Sequence, residues 1–455
     1  MTNTLERICI TGLHGRKTVD VEIRDNLLVL VGENGSGKTT FLRILFYFLS
    51  GHWLSLVQFK FDSITATIQG TEYKIHHEEL VKSFKESDRR ILADIPPSLR
   101  RRVIAYIETG DLERASAEMA RYHPRYAIPP ELLLRQLDFF ADKERGTRKA
   151  LQETIKRIRA AVNAQILYLP TYRRIERELG SIFEGVDSDE LRRSKGRMSR
   201  STEDGASYVE LVEFGMKDVQ AAIDRTLEEL KEFARESLNN LTLRYLGDVV
   251  NRDYQNVGME FSTVSDDTVS SVLNRIQDNI LTREHKEHIF GVINSARSAK
   301  TPSEHEKIIY HYFLKLLHFQ ESLQEKEQQI TNFCEVCSKY IVDKRFVYDS
   351  AAFTFKIISR EEGPVEKPID PGELSSGEKQ IVSLFSHLYL SGQKRFFVLI
   401  DEPELSLSVP WQRRFLTDII GGKFCAGLVA VTHSPYIYDN MLKPYAHSLG
   451  EFIKE

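Results

Sequence analysis

The sequence is poor in cysteine: Cys9, Cys334, Cys337 and Cys425 are the four it holds in 455 residues. Thiols so few and so scattered exclude a disulfide framework and fit a reducing compartment. Neither sign of charge dominates, with 62 Lys and Arg against 66 Asp and Glu. The molecule as a whole is therefore not built to coat nucleic acid, and any such contact must be a local basic surface. The start, Met1-Thr-Asn-Thr-Leu-Glu-Arg, lacks the basic and then apolar regions of a secretory signal. An uninterrupted apolar run is missing too. Phe41–Phe59 comes nearest, but Arg43 lies inside it and Ser50-Gly51-His52 breaks it, so a buried helix and a following strand are expected rather than a membrane span. There is no tandem repeat and no low-complexity tract. A cytoplasmic globular protein of two or three domains is the expectation.

What is present is concentrated at the two ends. Arg7–Thr11, Thr18–Ile23 and the apolar Leu27–Val31 read as strands, the last running into glycines as a parallel-sheet strand does before a loop and helix. A helix is predicted over Lys38–Leu49, then strands over Val57–Ile68 and Thr71–His76 around a Gln69-Gly70 turn. From Glu78 the sequence becomes charged and mostly helical, punctuated by Pro96-Pro97, Pro124 and Pro129-Pro130. Within this stretch Asp142–Ala164 reads as a basic helix, Gln165–Pro170 as a short strand, Gly185–Ser207 as a mobile loop and Tyr208–Tyr245 as a long helix. Helices recur over Val269–Tyr340 with a break near Ala299–Pro302. Strand character resumes over Phe346–Ile358, and Gly363–Gly372 is a loop. Three segments follow: an N-terminal lobe at 1–77, a helical insertion at 78–340 with a short strand near 165–170, and a C-terminal lobe at 341–455.

Gly32-Glu33-Asn34-Gly35-Ser36-Gly37-Lys38-Thr39 matches G-x-x-x-x-G-K-[ST] in full, with Thr40 continuing into the helix. Such a loop converges backbone N–H groups on phosphates, and the helix that follows adds its positive end. Lys38 would contact the outer phosphates and Thr39 would offer a hydroxyl to Mg²⁺. A strand precedes and a helix follows, as the motif requires. Phe396–Ile400 is a buried-type strand that ends in Asp401-Glu402-Pro403. Alone this is an ordinary surface Asp-Glu pair. Beside a full phosphate loop, Asp401 becomes a candidate for holding Mg²⁺ and Glu402 for polarising the attacking water.

Leu374-Ser375-Ser376-Gly377-Glu378-Lys379-Gln380 precedes that strand by one helix. It resembles the ABC signature, Leu-Ser-Gly-Gly-Gln in transporters, with Ser376 and Glu378 as departures; by itself Ser375 is a helix N-cap. The resemblance implies that Ser375, Ser376 and Gly377 reach the γ-phosphate of ATP held by a second subunit. His433, after the apolar Gly427–Val431, resembles the switch histidine of the same family, and Glu404–Ser408 occupies the place of the D-loop. Gln58, Gln69 and Gln165 are alternatives for the Q-loop glutamine. The implied fold class is α/β, an ABC-type P-loop ATPase head formed by both chain ends with a large α-helical insertion. The implied assembly is a head-to-tail dimer, open to higher oligomers, that hydrolyses ATP with Mg²⁺.

Most of the chain separates Lys38 from Ser375, as in SMC, RecF and OLD-type ATPases. Leu169–Glu176, Glu213–Met216 and Glu402–Leu407 resemble segments of OLD-like ATPases from anti-phage systems, such as AriA of PARIS and PtuA of Septu. That resemblance implies a sensor or scaffold ATPase controlling a separate effector nuclease or toxin. About twenty residues follow His433, too few for the Toprim nuclease domain of OLD proteins. The alternative is a RecF/SMC-like ATPase acting on DNA, since the basic residues of 143–159 and Arg100–Arg102 leave nucleic acid open as a partner. Cys334 and Cys337 have the spacing of a zinc hook but lie in an unbroken helical run, which favours thiols packed on one helix face. Asp187 and Asp189 superficially resemble a metal pair, without a strand to support them.

Overall fold

The computed structural model describes residues 4–15, 17–83, 103, 114–115, 117–119, 145–170, 208–210, 216–256, 265–274, 281–298, 303–359, 368–392, 394–405 and 407–454. The helices expected across 84–144, the loop Gly185–Ser207 with Asp187 and Asp189, and most of the OLD-like segments at 169–176 and 213–216 lie outside these. The chain forms two compact units, Met1–Glu213 with Gln393–Glu455, and Phe214–Gly392.

The first unit carries two sheets. β1 (Leu5–Leu13), β2 (Lys17–Glu22), β4 (Ser63–Ile68), β5 (Thr71–His76) and β13 (Ile453–Lys454) form an antiparallel sheet in the order β13-β2-β1-β4-β5. The second sheet is wholly parallel. It contains β3 (Leu27–Val31), β6 (Gln165–Leu169), β7 (Tyr208–Glu210), β10 (Phe396–Asp401), β11 (Cys425–Thr432) and β12 (Ala446–Ser448), ordered β12-β3-β11-β10-β6-β7. Every residue of β10 and β11 is buried, which is why both read as near-continuous apolar runs rather than alternating ones. Gly427 is required by close packing here, since a Cβ would stand 2.5 Å from the Phe397 ring.

Helix α1 (Lys38–Ser50) follows β3 and buries Phe41, Leu42, Ile44, Leu45 and Phe48 completely. A short α2 (Trp53–Leu56) comes next. The strand expected from Val57 therefore starts only at Ser63, because period alone cannot separate a short apolar helix from a strand. Helix α3 (His77–Ser83) leaves β5, and α4 (Arg145–Val162) returns to the same core. Leu151, Ile155, Ile158 and Val162 lie on one face of α4 and are buried in it. Two of its basic residues serve that packing: the Arg157 guanidinium sits 5.7 Å from the Tyr73 ring centroid, and Arg159 donates to Ser50 O at 3.2 Å.

The second unit is mainly helical: α5 (Met216–Asn251), α6 (Asp266–Asn274), α7 (Arg283–Ser298), α8 (Glu304–Tyr340) and α9 (Ser376–Leu390). Tyr208–Glu210, expected as the start of the long helix, instead pairs with β6, and the helix begins at Met216. Phe346–Ile358 is not one strand but the hairpin of β8 (Lys344–Asp349) and β9 (Thr354–Ser359). α8 runs unbroken through Cys334 and Cys337, and both thiols are buried. α10 (Val409–Ile420) and α11 (Pro435–Tyr438) complete the first unit. Among the described residues no helix is long and apolar enough to cross a membrane.

Candidate nucleotide site

β3, β11 and β10 are adjacent and parallel, so their carboxyl ends share one edge. Val31 pairs with Thr432, and Val431 pairs with Asp401. The phosphate loop after β3, Asp401-Glu402 and His433 are thereby brought to the edge where open α/β sheets bind ligands.

Gly32, Gly35 and Gly37 have φ of 139°, 83° and 93°, conformations that L side chains rarely adopt. No side chain caps the N-terminus of α1, and its first turn carries no acidic residue. Its positive end therefore stays available to an anion. The Lys38 ammonium donates to Gly32 O and Glu33 O, both at 2.8 Å, and to Ser36 Oγ at 3.2 Å. Burial pulls its pKa below the ordinary lysine value, against the opposing fields of Glu402, Asp401 and Glu404.

Thr39 Oγ1 donates to Asp401 Oδ1 at 3.0 Å across 362 residues of sequence. Two hard oxygen donors thus meet beside the loop, the chemistry that suits Mg²⁺. Glu402 leaves β10 at φ +52° and stays tied to the sheet, donating its backbone N–H to Val431 O at 2.8 Å. Its carboxyl group is held above the ordinary range by burial first, then by the Asp401 and Glu404 carboxylates. The His433 imidazole stands 3.9 Å from it, Nε2 to Oε1.

Two further side chains enter this region. The Glu404 carboxylate accepts from Thr432 Oγ1 and from His433 N, both at 2.7 Å. Gln412 of α10 donates to Leu407 O at 2.9 Å and accepts from Ser434 Oγ at 2.6 Å. Sequence reading assigned Glu404 a place without a contact and did not find Gln412, because its partners lie 5 and 22 positions away with no motif between.

Ser375, Ser376 and Gly377 lie at the start of α9, in the second unit. Ser375 caps the helix in a reciprocal box: its Oγ accepts from Glu378 N at 3.3 Å, and Glu378 Oε2 accepts from Ser375 N at 2.7 Å. Capping uses a lone pair of the hydroxyl and leaves its hydrogen free to donate. Glu378, a departure from the transporter signature, is also paired with Lys344 at 3.2 Å. Burial pushes the Glu378 pKa up, but the Ser375 N–H and Lys344 outweigh it and hold the group below the ordinary range. Of the Q-loop alternatives, Gln165 lies at the amino end of β6, on the far edge of the parallel sheet. Gln69 lies in the β4–β5 turn with its amide on Ala161 O at 2.9 Å, and Gln58 is exposed in the turn after α2.

The family profile described as AAA ATPase domain matches residues 4–438. The chain belongs to that family. This AAA ATPase is an ATP hydrolase and binds nucleotide. No curated protein sequence matches it. Among solved structures, it is similar to the Smc head domain with an extended coiled coil bound to the C-terminal domain of ScpA, derived from Pyrococcus furiosus. The identity is 14% over 95% of this chain and 90% of that one, with a TM-score of 0.30. It is also similar to the Smc head domain with a coiled coil and joint derived from Pyrococcus yayanosii, at 13% identity over 95% and 93%, with a TM-score of 0.27.

Proposed function

We propose that this AAA ATPase hydrolyses ATP at composite sites, each completed by a second copy of the chain. The observation that carries the reading is the convergence of Lys38, Thr39, Asp401, Glu402 and His433 on one sheet edge. Backbone N–H groups of Gly32–Thr40 and the Lys38 ammonium bind the β- and γ-phosphates. Thr39 and Asp401 would hold Mg²⁺, which when bound would supply charge neutralisation to the phosphates. Glu402 orients the attacking water and takes up its proton as the water oxygen bonds to phosphorus. The bond from phosphorus to the β–γ bridging oxygen breaks, and ADP and inorganic phosphate leave. His433 senses the γ-phosphate beside Glu402. Ser375–Gly377 of the partner copy, exposed or half-exposed at a helix start, donate to the same phosphate. The head lobes at 1–77 and 341–455, joined by the strand near 165–170 that pairs with β10, form the catalytic body in this reading, and the helices between them carry the response to ATP.

The OLD-like segments support a finer reading, in which the protein is the sensor or scaffold subunit of an anti-phage defence system and controls a separate effector. Lys38→Ala is expected to abolish ATP binding, and Glu402→Gln to bind ATP, stop turnover and accumulate as a dimer by light scattering. A Glu402→Gln protein that hydrolyses at the wild-type rate would sink the assignment of the base. Pull-down of the ATP-loaded Glu402→Gln protein should recover an effector encoded beside it. Strong, salt-sensitive stimulation by duplex DNA alone would instead make it a DNA-acting ATPase.

A further inference from the structure

The carboxylate of Glu404 takes no proton and holds no phosphate in the chemistry just described, yet it stands among the site's own acidic groups. Its two oxygens are both used on the end of β11. Oε2 accepts from the hydroxyl of Thr432, which is fully buried, and Oε1 accepts from the backbone N–H of His433. The Thr432 hydroxyl in turn accepts from Ser434 N at 3.0 Å. Gln412 ties the same two turns from the other side, with Leu407 O and Glu404 O on its amide nitrogen and Ser434 on its amide oxygen. The His433 ring is 3.9 Å from Glu402, beyond hydrogen-bond reach. Its aim therefore depends on how the backbone at 432–434 is held. We propose that Glu404 is the positioning residue for His433, clamping the end of β11 so that the imidazole faces Glu402 and the γ-phosphate. This rests on the reading of His433 as the γ-phosphate sensor.

Geometry separates placement from charge. Glutamine at 404 can accept from His433 N with its oxygen and donate to Thr432 Oγ1 with its nitrogen, since the hydroxyl has a second lone pair. Alanine makes neither bond, and aspartate is one methylene too short to reach both. Steady-state ATP hydrolysis by the full-length chain tests the idea. Glu404→Ala is expected to lower kcat about 10- to 100-fold with KM within about twofold, the scale of a misplaced catalytic group. Glu404→Gln should recover most of that loss. In a His433→Ala background, Glu404→Ala should add less than about twofold, because both changes remove one function. Should Glu404→Ala fail to fold, Glu404→Asp takes its place and is expected to lose kcat where Glu404→Gln keeps it.

Wild-type kcat in Glu404→Ala, no recovery in Glu404→Gln, or additive losses in the double variant would each overturn the clamp. So would an active Glu404→Asp beside an inactive Glu404→Gln, which would make charge the property that matters. The two layers fail differently. Wild-type kcat in His433→Ala removes the sensor reading itself, whereas a slow His433→Ala with an unaffected Glu404→Ala removes only the clamp.

Discussion

At the level of single residues, burial decides what the titratable groups can do. Glu402 sits at φ +52°, in a region that costs a non-glycine residue about 1–3 kcal/mol and is commonly found at functional sites. Its backbone bond to Val431 O holds it there. Three of the thiols show burial that suppresses ionisation. Burial pushes the Cys334 thiol up to about 12 and Cys425 up to about 11, and Cys337 lies well above its ordinary value. Thiolate is the species that alkylates or binds zinc. In the native protein at pH 8, iodoacetamide should therefore label Cys9, the one partly exposed thiol, before the other three. Peptide mass mapping reads the order, and prompt labelling of Cys334 or Cys337 would count against their packing in α8.

At the level of elements, α9 shows how one residue can carry a local and a distant role. Ser375 closes the capping box with Glu378, and Lys344 from β8 anchors the carboxylate. Ser375→Ala should destabilise the protein by about 1 kcal/mol, whereas Ser375→Gly should cost only a few tenths, because glycine is tolerated as an N-cap. Both remove the hydroxyl. If that hydroxyl reaches the partner copy's γ-phosphate, both variants lose hydrolysis while only Ser375→Ala melts earlier; a fully active Ser375→Gly would leave Ser375 as a cap alone. α4 carries the related lesson for charge. From sequence its basic residues left nucleic acid, a protein partner and plain solvation all open, and in the fold Arg157 and Arg159 lie over Tyr73 and Ser50 where the helix docks on the head core.

At the level of the whole molecule, the first unit is assembled from segments far apart in sequence, and a few contacts tie the chain ends into it. Asp20 of β2 bonds Arg7 of β1 and Lys454 of β13. The Arg7 guanidinium leads in holding the Asp20 carboxyl down at about 2. A group whose folded pKa is depressed adds stability above its unfolded value, near 4, and loses it as pH falls through the folded value. Asp20→Asn should therefore unfold more readily at pH 7, by about 1 kcal/mol for a pair whose Arg7 side is half exposed, and the gap should close as pH approaches 2. Denaturation of both proteins across pH measures it, and a gap that persists at pH 2 would contradict the assignment.

The glycine-rich loop between β3 and α1, the Asp401-Glu402 strand end, the Ser375 helix start and the strand order before α1 were legible in the sequence, because each is a local pattern. Glycines at positive φ, apolar runs of strand length and an N-cap with its Glu three residues on carry their structural meaning within a few positions. Where those pieces meet was decided by tertiary structure. The register of β3, β11 and β10 sets Thr39 against Asp401 across 362 residues, and local patterning cannot encode that distance. The Glu404–Thr432–His433 clamp, the Gln412 tie and the use of basic α4 residues in packing were invisible for the same reason. A polar side chain's partner is whatever the fold brings within about 3 Å of it, and along the chain these partners share no spacing.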